Sequence, residues 1–245
     1  MLTARPLASA SLIVLTASGC SLPPLQEEPW SVTKAGSTGV LARLGLDADV
    51  EVESTYSFDS NFGPFEIEDD TDLDPRFEAG LGVEYFLFDD VSLVVGSAWR
   101  VFQPESIGDD VIEFDKIREF EGFAGVKWVL PWRLPPSDRV RPFLQVGVGY
   151  LPDIDFDATV DLGVPQIPPE DFEFDGSTAW SAGAQAGLMF QISDHWVGQL
   201  GFLYEWNLQS ADDDVQLDFL DSTLDLDIEL EPRGWLLLGG LTYFF

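Results

Sequence analysis

The sequence predicts an all-β protein, an eight-stranded antiparallel up-and-down transmembrane β-barrel, over about residues 38–245. Three observations predict this fold. Eight stretches, each about ten residues long, alternate apolar and polar side chains, which is the period of a β-strand with two unlike faces. The connections between the stretches alternate between short and long. Trp and Tyr also gather near both ends of the stretches, as they do where barrel strands meet the bilayer–water boundary.

Each stretch places apolar residues at every second position and charged, amide or small residues between them. In the first stretch, for example, Val40 and Leu44 lie on one face and Arg43 on the other. The predicted strands are 40–52, 77–87, 92–101, 119–128, 140–150, 180–190, 196–206 and 234–245. Such strands would present the apolar face to lipid and the polar face to the barrel interior.

The connections favour an up-and-down barrel with short turns at one rim and long loops at the other. The shorter connections lie around residues 88–90, 131–139 and 193–195, and the long ones at 53–75, 103–115, 151–176 and 209–232. This order places both chain ends at the rim of the short turns, which we expect to be periplasmic. The last strand would then pair with the first, so that no strand edge faces lipid.

Trp and Tyr on the apolar faces separate into two expected girdles. The outer girdle holds Trp99, Tyr150, Trp180, Trp206 and Trp235, and the inner girdle holds Tyr85, Trp128 and Trp196. A soluble β-sandwich, the alternative fold, would bury its Trp side chains in one core and would rarely sort them to both strand ends.

The polar faces carry charges of both signs that would lie inside the barrel. Buried charges are tolerated when they are paired, so we expect ion pairs across the lumen, such as Arg43 with Glu84 and Arg100 with Glu205 or Glu121. The full expected set is Arg43, Glu84, Arg100, Glu121, Lys127, Arg141 and Glu205. These residues would plug the lumen; the alternative is that they line a narrow selective pore.

The amino terminus reads as an export signal over residues 1–19, with Arg5 before a short apolar region. The segment Ala17-Ser-Gly-Cys20 then resembles the lipobox of bacterial lipoproteins, which implies lipidation of Cys20. Cys20 is the one cysteine of the chain, so no disulfide forms within it. Residues 20–37 are polar and carry three prolines, and we expect them to form a periplasmic tether.

The net charge of −32 makes nucleic acid a poor partner and cations plausible ones. The excess acid lies in the long loops, where residues 224–230 alternate and would pair with 214–220 as a hairpin, followed by a bulge at Pro232–Gly234. Asp153-x-Asp155-x-Asp157 lacks the Gly and Glu of a calcium loop, so the sequence predicts no metal site. Two interpretations of the acidic loops remain: a solvated acidic surface, and weak binding of divalent cations.

The sequence gives little sign of an enzyme. The only histidine, His195, falls in a predicted short turn, and no motif for a nucleophile, a phosphate loop or a metal is present. We therefore expect no enzymatic activity and no cofactor. A lipid-modifying barrel that uses paired carboxylates is the alternative.

Two segments resemble a known class. The chain ends Leu241-Thr-Tyr243-Phe-Phe245, which resembles the carboxy-terminal assembly signal of bacterial outer-membrane barrels, and Arg141-Pro-Phe-Leu followed by Gly-x-Gly-Tyr150 is similar to strands of OmpA-like and OmpW-like barrels. The resemblance implies a monomer in the Gram-negative outer membrane, with lipids, lipopolysaccharide and the assembly machinery as partners. It implies a structural or surface-interaction role, and the alternatives are a narrow pore for small or apolar solutes and a lipid-modifying enzyme.

Overall fold

The structure is a computed structural model. It describes residues 30–60, 63–72, 77–102, 112–114, 117–135, 138–152, 154–160, 170–176, 178–209, 211–219 and 222–245. The expected signal peptide, Cys20 and the first part of the expected tether lie outside the described residues, as does Asp153.

The described chain is nearly all strand, because its alternating, β-branched and aromatic-rich stretches suit a pleated sheet. One short 3-10 helix, Ser31–Thr33, precedes the strands. The strands are β1 (Thr38–Ser60), β2 (Gly63–Asp72), β3 (Phe77–Phe88), β4 (Val91–Phe102), β5 (Ile112–Phe114), β6 (Ile117–Val129), β7 (Val140–Leu151), β8 (Ile154–Val160), β9 (Glu170–Gly176), β10 (Ala179–Gln191), β11 (Trp196–Gln209), β12 (Ala211–Phe219) and β13 (Ser222–Phe244).

Eight of these strands form a closed antiparallel barrel, which confirms the predicted fold class. The order around the ring is β1, β3, β4, β6, β7, β10, β11 and β13, and β13 pairs with β1 to close it. The closing pair begins at Gly39 opposite Phe244 and continues past Val52 opposite Pro232. The prediction that the last strand pairs with the first is therefore confirmed.

The two faces of the wall have the polarity that the sequence predicts. Outward residues such as Leu81, with 65% of its surface exposed, alternate with inward residues such as Glu78 and Glu84, which are fully buried. Large apolar side chains are exposed all around the barrel, far beyond what a water-soluble monomer presents. Among the described residues, no helix has both the length and the apolar character needed to cross a membrane.

We name the two rims by what lies at them. The terminal end is the rim where β1 begins and β13 ends, with the turns at 89–90 and 192–195 and the connection that includes residues 130–135. At the loop end, β1 and β13 continue beyond the barrel as a paired ribbon that reaches Asp59 opposite Asp225, and β2 and β12 flank it. β12 pairs with β13 through Val215 opposite Leu226, which confirms the predicted hairpin.

Two expectations are corrected. The register irregularity lies in β1 between Asp47 and Asp49, opposite Leu236 and Trp235, while the expected bulge position Pro232 pairs regularly with Val52. The second correction concerns residues 30–37, which do not form part of a free tether. They fold into the terminal mouth of the barrel, where Trp30 is 97% buried, because its indole finds an apolar chamber there.

Candidate functional site in the barrel interior

The inward-facing side chains fill the lumen in layers. From the loop end to the terminal end these are an Arg–Glu network, an apolar layer, a lysine-centred polar layer and an apolar chamber that holds Trp30. An eight-stranded barrel is just wide enough for side chains to fill its interior. The layers follow from the inward phase of each strand, so neighbouring strands in register place their polar residues at the same height.

Arg100 on β4 is the centre of the loop-end network. Its Nε donates to Glu78 Oε2 at 3.1 Å, and its Nη2 lies 2.6 Å from Glu121 Oε2 and 2.9 Å from Glu205 Oε1. All four side chains are buried. The planar guanidinium suits this role, because its five donors form a rigid fork that several carboxylates can share.

Arg43 on β1 extends the network across the lumen. Its Nε lies 2.7 Å from Glu78 Oε1 and its Nη2 lies 3.8 Å from Glu121 Oε2. The first of these is an ion pair rather than a hydrogen bond, since neither atom has an aligned hydrogen-bond partner. The guanidinium also lies over the ring of Phe123, 3.6 Å from its centroid, which is a cation–π contact in a desolvated setting.

The structure changes one of the expected lumen pairs. Arg100 lies beside both Glu205 and Glu121, the two partners suggested for it. Arg43, however, lies beside Glu78 and Glu121 rather than Glu84. The reason is height in the barrel, since Arg43 is in register with Gly80, four residues along β3 from Glu84.

A hydroxyl and a glycine complete this layer. Ser181 Oγ lies 3.2 Å from Glu121 Oε1 and 3.4 Å from Glu205 Oε1. Gly149 faces the same carboxylate, and a Cβ at that position would overlap Glu121 Oε1 and Ser181 Oγ. A cavity of about 40 Å³ adjoins these groups, which is room for little more than a water molecule.

Toward the terminal end, a layer of buried apolar side chains separates the network from a second polar layer. The apolar layer consists of Leu41, Val94, Ala98 and Phe123. Below it, Lys127 Nζ donates to Glu84 Oε2 at 3.0 Å and to Gln199 Oε1 at 2.9 Å. Ser92 Oγ donates to the other oxygen of Glu84 at 2.7 Å. The buried ammonium is thus paired and hydrogen-bonded, the condition under which a buried charge is tolerated.

Trp30 and Val32 fill the last layer, at the terminal mouth. They pack with Phe86, Val129, Phe143, Met189, Val197 and Phe244, which all lie on the inward phase of their strands. Phe244 therefore forms part of the wall of this chamber. The neighbouring Phe245 is 76% exposed, and Tyr243 lies on the outer wall.

Arg141 joins the N-terminal segment to the barrel. Its Nη1 donates to Asp90 Oδ1 at 2.7 Å and its Nε donates to the carbonyl of Leu130 at 2.8 Å. Thr33 Oγ1 also donates to Asp90 Oδ1, at 2.7 Å. Partial burial raises the pKa of Asp90, but the hydrogen bonds from Arg141 and Thr33 outweigh it, so the pKa lies below its ordinary value.

The aromatic residues expected in the girdles lie on the outer wall and are exposed. They are Tyr85, Trp99, Trp128, Tyr150, Trp180, Trp196, Trp206 and Trp235. Neighbouring rings contact each other across strands in tilted or edge-on arrangements, with centroids 4.8 Å apart for Tyr150 and Trp180 and 4.9 Å apart for Trp196 and Tyr243. A depression of about 670 Å³ on the same wall is lined mainly by apolar residues, among them Ala79, Leu81 and Leu241.

His195 lies in the turn before β11 and is exposed, with its ring 5.8 Å from that of Tyr243. Within the described part of the chain, no group of three or more His, Cys, Asp or Glu residues is arranged to hold a metal ion. The lumen carboxylates of Glu78, Glu84, Glu121 and Glu205 are instead engaged with Arg, Lys and hydroxyl groups.

Sequence reasoning did not identify the contacts of three residues. Glu78 lies on the lumen-facing phase of its strand, as the alternation predicts, but no pattern indicates that it bridges both arginines. Asp90 lies in a predicted turn and Trp30 in the expected tether, and neither position indicates a contact at the terminal mouth. The available signal for Trp30 was weak: a large aromatic residue followed two positions later by Val32, in a segment otherwise polar and rich in proline.

Comparison with solved structures gives the same architecture. The outer membrane protein OprG from Pseudomonas aeruginosa is similar in fold with a TM-score of 0.54 and 12% identity, over 89% of this chain and 99% of that one. The outer membrane protein AlkL aligns with a TM-score of 0.46 and 15% identity, over 92% and 95% of the two chains. No protein-family model matches the sequence, and a search of curated proteins also gave no match.

Proposed function

We propose that the protein is a small β-barrel of the bacterial outer membrane whose lumen is plugged by its own side chains. Its role would be structural or surface-interacting rather than catalytic. The observation that carries the proposal is the network around Arg100, which spans the lumen with ion pairs of 2.6–3.1 Å from one guanidinium to three glutamates on three other strands. A solute passing through would have to separate these buried charges, and breaking a buried pair costs about 3–5 kcal/mol.

Support for the membrane setting comes from the outer wall and from the fold. The apolar wall carries Trp and Tyr near both rims, as expected where strands cross a bilayer. The fold is that of OprG, which is an outer membrane protein. By analogy the termini would face the periplasm and the acidic hairpins the exterior, with lipids, lipopolysaccharide and the assembly machinery as partners and Tyr243 and Phe245 as the assembly signal.

Lipidation of Cys20 would anchor the chain at the terminal end. Trp30 is fixed at that rim, and nine residues lie between the two positions, so the ten steps from Cys20 to Trp30 span at most about 36 Å when extended. A lipid on Cys20 would thus reach the leaflet beside the rim. Mass spectrometry of the purified protein tests this, since an unmodified mature amino terminus would refute it.

Bilayer conductance tests the plugged lumen. We expect protein refolded from inclusion bodies, free of native porins, to give no steady current steps in planar bilayers of neutral lipid. The same preparation after heat unfolding provides the baseline for leakage. Reproducible single-channel steps from the folded protein alone would refute the plug and favour the narrow pore for small or apolar solutes.

Weak binding of divalent cations is the second part of the proposal. In the ribbon at the loop end, Asp212 is in register with Glu229 and Asp214 with Asp227, so acidic residues oppose each other on adjacent strands. Like charges directly opposite destabilise a strand pair, and a divalent cation relieves this. We expect calorimetric titration with Mg²⁺ or Ca²⁺ to show millimolar binding that Asp212→Asn with Asp214→Asn weakens; no heat above that of dilution would refute it.

A further inference from the structure

The chamber at the terminal mouth has the composition of a ligand site. Its walls are Phe86, Phe143, Met189 and Phe244, each at most 1% exposed, together with Val129 and Val197. Ligand sites in proteins are concave and mainly apolar, with a few polar groups that set the orientation of the ligand. The occupant here is the side chain of Trp30.

The polar groups of the chamber are matched to an indole. The indole Nε1 of Trp30 donates to the backbone carbonyl of Asp138 at 2.7 Å. The guanidinium of Arg141 lies 5.5 Å from the ring centroid, within the range of a cation–π contact. An apolar slot, one carbonyl acceptor and one cation near the ring together recognise an aromatic ring that carries an N–H group.

The segment that brings Trp30 is held by hydrogen bonds to Gln191 at the end of β10 and to the turn between β3 and β4. The backbone N–H of Trp30 donates to Gln191 Oε1 at 2.7 Å, and the backbone N–H of Asp90 donates to the carbonyl of Thr33 at 2.8 Å. Trp30 and Asp90 are also the two described non-glycine residues with left-handed backbones, with φ of 68° and 65°. Such a conformation is unfavourable for most side chains and persists where the surroundings impose it.

We propose that the terminal mouth is a binding site for small indole-type aromatic molecules, which the chain keeps closed by inserting its own Trp30 as a plug. Residues 30–37 act as a tethered competitor, and their withdrawal makes the site available. The inference rests on the chamber alone and does not require the loop-end network to seal the lumen. Failure of the indole-binding test below would overturn this site and leave the plugged lumen standing.

Trp30→Gly is the direct test, because glycine adopts a positive φ without strain and the substitution removes only the indole. We expect the folded variant in detergent to bind free indole in calorimetric titration, and the wild type to bind at least about tenfold more weakly, since a tethered competitor acts at millimolar effective concentration or more. 1-Methylindole, which lacks the N–H donor, should bind the variant about fivefold more weakly than indole.

Trp132→Gly is the matched control. Trp132 is 65% exposed in the turn at the same rim, so its loss should leave indole binding at the wild-type level and reports any uptake of indole by the detergent. Folded Trp30→Gly that binds no more indole than Trp132→Gly would overturn the proposal.

A second measurement covers the case in which Trp30→Gly does not fold. The wild type is labelled with 5-fluorotryptophan, and the ¹⁹F resonances of Trp30 and Trp132 are assigned with Trp30→Phe and Trp132→Phe. We expect a water-soluble paramagnetic agent to broaden the Trp132 resonance and to leave the Trp30 resonance sharp. Equal broadening of both would show that Trp30 does not occupy the chamber, and the proposal would fall.

Discussion

In the function proposed above, the two ends of the lumen are closed by different kinds of structure. At the loop end, Arg43 and Arg100 bind glutamates that lie on the barrel strands themselves. At the terminal end, the closing element is Trp30, which belongs to a short segment that precedes β1 and is joined to β3 by two backbone hydrogen bonds, from Gly36 to Phe86 and from Phe86 to Ser37. One closure is part of the wall, and the other is added to it.

This difference sets how each end can open. Arg100 and Glu78 are in register on neighbouring strands β4 and β3, so their contact is fixed by the hydrogen-bonded ladder of the barrel. Removing that closure means leaving buried charges unpaired. Trp30, in contrast, can leave while every strand pair of the barrel stays intact. The terminal end is therefore the end at which the lumen can open without unfolding.

The largest expected effect is that of Arg100→Leu. The substitution leaves Glu78, Glu121 and Glu205 buried without their shared cation, which should lower the free energy of unfolding by about 3–5 kcal/mol. Urea unfolding of the protein in lipid vesicles, followed by the shift of the folded band in unheated gel electrophoresis, measures this change.

Arg118→Leu is the control for Arg100→Leu, because Arg118 carries the same charge but is exposed at the start of β6. We expect a change within about 0.5 kcal/mol. Equal effects of the two substitutions would show that the loop-end network contributes no more than a surface charge does.

The wall-built closure was largely predictable from sequence, and the reason is periodicity. Once the apolar phase of a strand faces outward, every polar residue of the opposite phase must face the lumen, so Arg100, Lys127 and Glu205 follow from counting. Partners were harder to predict, because they depend on the height of each residue in the barrel. The pairing of Arg43 with Glu78 rather than Glu84 follows from a register that no local pattern specifies.

The added closure was not predictable in the same way. A segment that contributes one Trp and one Val to a chamber has no period to detect, and its prolines and polar residues are typical of a tether. Its stability comes from contacts distant in sequence, such as Trp30 with Gln191 and Asp138. Only the assembled barrel mouth shows why Trp30 is buried.

The smallest expected effect is that of Asp90→Asn, which weakens the contacts that hold Trp30 and residues 30–37 in the terminal mouth. Asparagine also tolerates the left-handed backbone found at Asp90, so the change removes charge and keeps shape. Arg141 and Thr33 would lose an ionised acceptor, and because the pair is partly exposed we expect the segment to open about two- to fivefold more often, or about 0.5–1 kcal/mol. Hydrogen exchange of residues 30–37 reports the opening, and Arg133→Gln, on an exposed side chain in a turn at the same rim, should leave it unchanged.

The effect of Asp90→Asn on the opening of residues 30–37 must also depend on pH. Hydrogen bonds from Arg141 and Thr33 hold the pKa of Asp90 below its ordinary 3.8, against the opposing effect of partial burial, with Lys34 adding a favourable charge. A lowered pKa means that the contribution of Asp90 is complete at pH values well above 3.8 and is lost as the pH falls through the value in the folded protein. The exchange rates of wild type and Asp90→Asn should thus differ at neutral pH and converge at pH values below that range. If they differ equally at every pH, the ionised carboxylate is not what holds Trp30 in the mouth of the barrel.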